Sequence, residues 1–238
     1  MGHSEPILKV SNLNVSLGSQ KVVEDLDLEV EEGKAVAVIG PNGAGKTTLF
    51  RALLGMIPYQ GIVQWRPKVR IGYVPQRMEI ETDVPLTVRE FLQLRQTKNF
   101  TEEKAREALK SVLLEEKLLD SGLGEISVGQ RQRILIAWAL LGKPEVLLFD
   151  EPTADIDISG QESIYQLVHH LQDRFHLTII LISHDLNVVY RYAEQVLCLN
   201  HRKICFGPPQ EVLSPEQMQK LYGGHHTFFH HLESHQHH

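Results

Sequence analysis

"GPNGAGKTT", residues 40–48, decides the reading of this chain. It fits G-x-x-x-x-G-K-[ST], with Gly40, Gly45, Lys46 and Thr47 in the fixed positions. The run leading into it, "KAVAVIG" (34–40), is apolar after Lys34 and short, as in a strand buried on both faces. A helical pattern opens near Lys46. In a strand–loop–helix setting, glycines let successive backbone N–H groups turn inward, and the helix N-terminus adds positive potential. The loop Gly40, Pro41, Asn42, Gly43, Ala44, Gly45, Lys46, Thr47, Thr48 therefore reads as a cradle for the phosphates of a nucleoside triphosphate. Lys46 is expected to reach the β- and γ-phosphates, and the Thr47 hydroxyl to ligate Mg²⁺.

The cradle needs a carboxylate partner, and "EVLLFDEP" (145–152) supplies one. Asp150 ends a second buried strand and is placed to hold Mg²⁺ beside the phosphates. Glu151 follows at once and is expected to orient or deprotonate an attacking water. A third buried strand, "LTIILIS" (177–183), leads to His184. "ILKVSNLNVSL" and "KVVEDLDLEV" alternate apolar with polar, as antiparallel strands with one wet face do. Between residues 77 and 141 the signals are helical, with Thr101 a candidate N-cap and no convincing strand. The pattern is that of an α/β domain carrying a helical insertion.

Composition narrows the class. The chain has 238 residues, 42% hydrophobic and 23% charged, the balance of a folded soluble domain. A net charge of −6 argues against a general nucleic-acid binder. The longest apolar run, "ILIAWALLG" (134–142), is far short of the roughly 20 residues a bilayer requires, and "MGHSEPILKV" carries no secretory signal. Work at a membrane would then need a partner to hold the chain there. Cys198 and Cys205 are too few for a disulfide framework and are expected to be buried, reduced thiols.

The ordered set of "GPNGAGKT", "GYVPQ" ending at Gln76, "ISVGQRQR", "LLFDEP", "ADID" and "ISHD" resembles the ATP-binding cassette ATPases, over about residues 7–222. The resemblance implies a P-loop NTPase fold of that type: a mixed core sheet, an antiparallel β-subdomain and an inserted α-helical subdomain at 77–141, all within a domain at 1–224. It implies that Gln76 contacts Mg²⁺ and the attacking water, and that Ser127, Gly129 and Gln130 open a helix that binds the γ-phosphate held by an opposite subunit. Ser127 as N-cap and Gly129 as a point of close backbone approach agree with that. It further implies that Asp157 crosses a dimer interface, that His184 hydrogen-bonds the γ-phosphate, and that two copies pair head to tail around two ATP molecules. Val128 stands where the family usually has glycine, and Leu17 where an aromatic residue commonly stacks on adenine.

Among such ATPases, "IGYVPQRMEIETDVPLTVREFLQLR", "EPTADIDISGQESIYQLV" and "VLCLNHRKICFG" are most similar to subunits of zinc-uptake systems. Manganese and iron importers share much of the pattern, and soluble cassette ATPases that act as mechanical clamps share the motifs alone. The implied partners are a second copy, an integral membrane permease and, indirectly, an extracytoplasmic metal-binding protein, with the chain peripheral on the cytoplasmic face of the membrane. Seven of the thirteen histidines fall in "GHHTFFHHLESHQHH" (224–238). Imidazole suits Zn²⁺, and His226/His230 and His231/His235 would each share a face of a helix. The tail at 225–238 reads either as a zinc-binding segment or as one with no function of its own.

Overall fold

The computed structural model describes residues 5–76, 85–95, 100–153 and 156–223. The tail histidines His226, His230, His231 and His235 lie outside the described residues.

Three pentapeptides, apolar but for Asp150 and Thr178, form the centre. β3 (Ala35–Ile39), β6 (Val146–Asp150) and β7 (Thr178–Ile182) are buried at every position. Successive side chains of a strand point to opposite faces, so runs this apolar demand cover on both sides. They lie in a six-stranded sheet of order β5-β6-β7-β3-β8-β9, with β5 (Ile71–Val74), β8 (Gln195–Asn200) and β9 (Arg202–Gly207). All neighbours are parallel except the β8–β9 hairpin. β1 (Leu8–Leu17) and β2 (Gln20–Val30) alternate buried with exposed positions and pair antiparallel. With β4 (Gln60–Trp65) they make a separate antiparallel sheet of order β2-β1-β4.

The two faces of the central sheet have different cover. Val146, Leu148, Ile180, Ile182, Val36 and Val38 pack with β1, β2 and α1 (Lys46–Leu53). Leu147, Phe149, Ile179 and Leu181 pack with the helices that lie between β5 and β6, and with α5 (Ile158–Phe175). Those intervening helices are α2 (Val88–Gln93), α3 (Glu102–Ser111), a 3₁₀ turn (Glu116–Asp120) and α4 (Val128–Leu140). Thr101 caps α3 by accepting from the Lys104 N–H at 3.3 Å. Beyond β7 come α6 (Leu186–Tyr192), α7 (Pro209–Val212) and α8 (Pro215–Tyr222), which pack on β3, β8 and β9.

One expectation is corrected. Cys198 and Cys205 are buried, but they are joined as a disulfide rather than held as free thiols. The cause is register. The β8–β9 hairpin sets Cys198 directly opposite Cys205, with Cα atoms 4.8 Å apart, within the range a disulfide spans. Spacing along the chain carries no information about that opposition.

Candidate active site

Parallel registry brings the predicted residues to one edge of the sheet. Val38 and Asp150 both pair with Ile182, and Val74 pairs with Phe149. Gly40, Gln76, Glu151 and His184 therefore leave the carboxyl ends of adjacent strands together, where open α/β sheets bind ligands.

The loop after β3 is shaped by backbone contact. Gly40 has φ 156°, and a Cβ there would lie 2.0 Å from the Leu199 carbonyl oxygen of β8. Gly45 has φ 95°, and its Cβ would lie 2.7 Å from the Val22 oxygen of β2. Only glycine lets the loop close against both strands. Gly45 also stands at the N-cap of α1, where no side chain caps the helix and no acid occupies the first turn. The donors and the positive end of the helix are thus left for an anion. Lys46 is buried; its Nζ donates to the Gly40 oxygen at 2.9 Å and the Pro41 oxygen at 3.0 Å. Burial lowers its pKa, opposed by the charges of Glu151 and Asp150.

Asp150 lies opposite, almost wholly buried. It accepts from the Thr47 hydroxyl at 3.0 Å and from the Tyr73 hydroxyl at 3.1 Å. Burial pushes its carboxyl up, and the two hydroxyls pull it back. A carboxylate with a hydroxyl beside it, next to an anion cradle, is an all-oxygen donor set that fits Mg²⁺.

Glu151 is held from two sides. His184 Nε2 lies 2.5 Å from its Oε1, and Gln76 Nε2 donates to its Oε2 at 3.1 Å. The His184 contact keeps its carboxyl below the usual carboxylate range, against burial. Its backbone has φ 48°, the left-handed region. For a non-glycine residue that conformation persists only where surroundings over-determine it, as they do at functional sites.

The remaining predicted residues stand apart. Ser127 caps α4 in a full capping box: Gln130 N–H donates to Ser127 Oγ at 3.2 Å, and Ser127 N–H donates to Gln130 Oε1 at 2.9 Å. Gly129 follows Val128 with open space where a Cβ would go. Asp157 caps α5 through the Gly160 N–H at 3.1 Å. No hydrogen bond joins Ser127, Gly129 or Gln130 to the phosphate loop or to Glu151 among the described residues. Sequence reasoning passed over Tyr73, Tyr222, whose hydroxyl hydrogen-bonds the Gly40 backbone, and His201, whose N–H donates to the Ala44 oxygen at 3.0 Å. Only Tyr73 carried a signal, lying three positions ahead of Gln76 in "GYVPQ".

A family model described as "ABC transporter" matches residues 23–154. The chain belongs to the ABC transporter family. A Pseudomonas fluorescens (strain Pf-5) protein named zinc import ATP-binding protein ZnuC is 39% identical over 238 residues, covering 98% of this chain and 90% of that one. The solved ADP conformation of MJ1267, an ATP-binding cassette of an ABC transporter, superposes with TM-score 0.81 at 26% identity, covering 93% of this chain and all of that one. CbiO1 of Clostridium perfringens, part of the ABC transporter complex cbiONQ, gives TM-score 0.77 at 27% identity over 91% and 94% of the two chains. As an ABC ATPase, this chain binds and hydrolyses ATP and works with a membrane permease. No helix among the described residues is long and apolar enough to cross a membrane.

Proposed function

We propose that this chain is the ATP-hydrolysing subunit that energises zinc import through a separate permease, as a homodimer peripheral on the cytoplasmic face of the membrane. The hydrolytic part is carried by one observation: Glu151, in a left-handed backbone beside Asp150, is gripped by Gln76 and His184 from the two flanking strands. The zinc assignment is supported by the 39% identity to zinc import ATP-binding proteins over nearly the whole chain.

Each residue has a task in this reading. Backbone N–H groups of residues 43–48 receive the phosphates, and the Lys46 ammonium turns from the Gly40 and Pro41 oxygens to the γ-phosphate. Thr47, Asp150 and Gln76 would hold Mg²⁺, which when bound would neutralise negative charge on the phosphates. The Glu151 carboxylate accepts a hydrogen bond from the attacking water and then its proton, and His184 fixes where that carboxylate points. Ser127, Gly129 and Gln130 of a second copy close over the γ-phosphate, with Asp157 at the same interface. Hydrolysis removes the shared group and lets the copies part. The tail histidines His226, His230, His231 and His235 are assigned to binding zinc on the cytoplasmic side.

Glu151→Gln is the first test. Steady-state phosphate release should fall by about 10²–10⁴-fold, the usual worth of a general base, and the variant should dimerise with Mg²⁺ and ATP. A strictly monomeric variant at saturating nucleotide, even beside its permease, overturns the paired reading. In vesicles holding the permease, ATP should drive zinc entry ahead of manganese or iron; preference for either of those reassigns the cargo. Zinc titration of the full chain against one ending at Gly223 tests the tail, and equal stoichiometry removes that role.

A further inference from the structure

Behind Glu151 and His184 three buried hydroxyls stand in a row. Thr153 Oγ1 lies 2.9 Å from the Tyr165 hydroxyl, which lies 3.4 Å from Ser183 Oγ. Ser183 Oγ in turn accepts the Asp185 N–H at 3.1 Å. All three side chains are buried. Thr153 is two residues past Glu151, and Ser183 is the residue before His184. Tyr165 comes from α5, and its oxygen lies within hydrogen-bond reach of both.

A buried hydroxyl without a partner costs roughly 1–3 kcal/mol, and apolar groups of the same shape are close to neutral. Three hydroxyls in an apolar core therefore call for a reason beyond packing. Glu151 supplies it. Its left-handed backbone needs pinning from more than one direction. The face of α5 that carries Tyr165 also carries Gln161, one turn earlier. Gln161 Nε2 donates to the Ile156 oxygen at 2.8 Å and the Thr153 oxygen at 3.4 Å. Tyr165 is itself stacked on Tyr192 of α6, with centroids 6.4 Å apart. A cavity of about 150 Å³ is lined by Glu151, Thr153, Tyr165, Ser183 and His184 together. Atoms facing a cavity lack packing partners on that side, so hydrogen bonds set the spacing of the two turns.

We propose that Tyr165 is a positioning residue for hydrolysis: its hydroxyl ties the turn bearing Glu151 to the turn bearing His184 and so fixes the hydrogen bond between them. The role rests on the reading of Glu151 and His184 given above. It acts on the catalytic step and leaves the phosphate cradle alone, since no member of the row bonds to residues 40–48 among the described residues.

Tyr165→Phe keeps the ring and removes the link. In the full chain, kcat should fall 5- to 20-fold while KM for ATP and equilibrium binding of Mg²⁺–ATP stay within twofold. Thr153→Val should fall by a similar factor, Thr153→Ser should recover most of that loss, and Tyr165→Phe with Thr153→Val should be no slower than either alone. In a Glu151→Gln background, Tyr165→Phe should leave the residual rate unchanged, which a general loosening of the fold would not. A kcat within twofold of the parent, or an equal fall in kcat and ATP affinity, overturns the proposal. Should Tyr165→Phe fail to fold, the Thr153 pair decides: equal rates for Val and Ser reject the tie. Failure of the underlying reading is separate, because it appears as a Glu151→Gln variant that still turns over.

Discussion

In the proposed reading two helix N-termini of the chain meet a phosphate, and they are built in opposite ways. α1 begins at Gly45 with no side-chain cap and no acid in its first turn. Its donors are left unspent, and the buried Lys46 waits on two loop carbonyls. α4 begins at Ser127 with both halves of a capping box closed and with Val128 half exposed beside it. The first terminus is already bonded to Asp150 through the Thr47 hydroxyl, and β3, β6 and β7 fix Gly40, Asp150 and His184 on one sheet edge. The second is satisfied by its own side chains and bonds to nothing at that edge among the described residues. One half of the site is a property of the fold. The other half is a finished surface that gains a role only when something brings a phosphate to it.

The sharpest way to break this contrast is Lys46→Ala. If the α1 end is the intrinsic binding half, the variant should lose at least 100-fold in steady-state hydrolysis, the scale of removing one preorganised charge donor. Mg²⁺–ATP binding, followed by calorimetry on dilute single chains, should weaken in parallel. Retained binding would mean that the helix donors alone hold the phosphates and that the lysine is a strut for the loop.

Ser127→Ala addresses the other half. Losing the cap costs about 1 kcal/mol of helix stability, a shift of roughly 2–4 °C in the thermal midpoint of a chain this size. Turnover should drop about tenfold, while ATP binding by the dilute single chain stays unchanged. Binding that falls as far as turnover does would place Ser127 in the intrinsic half and erase the distinction.

The contrast also marks what could be read from the residues alone. Val36, Val38, Leu147, Phe149, Ile179 and Leu181 sit in runs with no polar interruption, so buried parallel strands were legible, and with them the positions of Gly40, Asp150 and His184. Ser127 was legible as a cap because hydroxyl capping is local. The capping box with Gln130 was not drawn out, although its spacing was in view. The Tyr73–Asp150 and Tyr165–Ser183 contacts depend on registry between β5 and β6 and on how α5 lies across β7. Such contacts have no signature along the chain. The Cys198–Cys205 pair failed for the same reason: opposition across a hairpin is a fact of register, which a bulge after Cys198 resets.

Leu17 sharpens the intrinsic half further. It ends β1 with 51% of its surface exposed, paired to Gln20. Stacking of a base on an aromatic ring is worth about 1–3 kcal/mol. Leu17→Tyr should therefore tighten ATP binding about fivefold or more in equilibrium dialysis, with kcat unchanged. The parent should prefer ATP over GTP only modestly. A hundredfold preference in direct binding would show that discrimination is already built elsewhere in the cradle.

The smallest effect is expected at Val128, and it bears on why the second terminus is finished as it is. Val128 occupies the first position of α4, 48% exposed, and its side chain is not needed for the capping box, which uses Ser127 and Gln130. A phosphate approaching those N–H groups must pass that side chain, whereas at Gly129 the space is open. Val128→Gly removes the obstruction at a cost of under about 1 kcal/mol in helix propensity. Turnover should stay level or rise up to about threefold, and the ATP concentration needed for pairing should fall. A tenfold loss of rate would mean instead that the valine makes a contact of its own across the closing surface. The capped end of α4 would then be a shaped half-site and not merely a satisfied helix terminus.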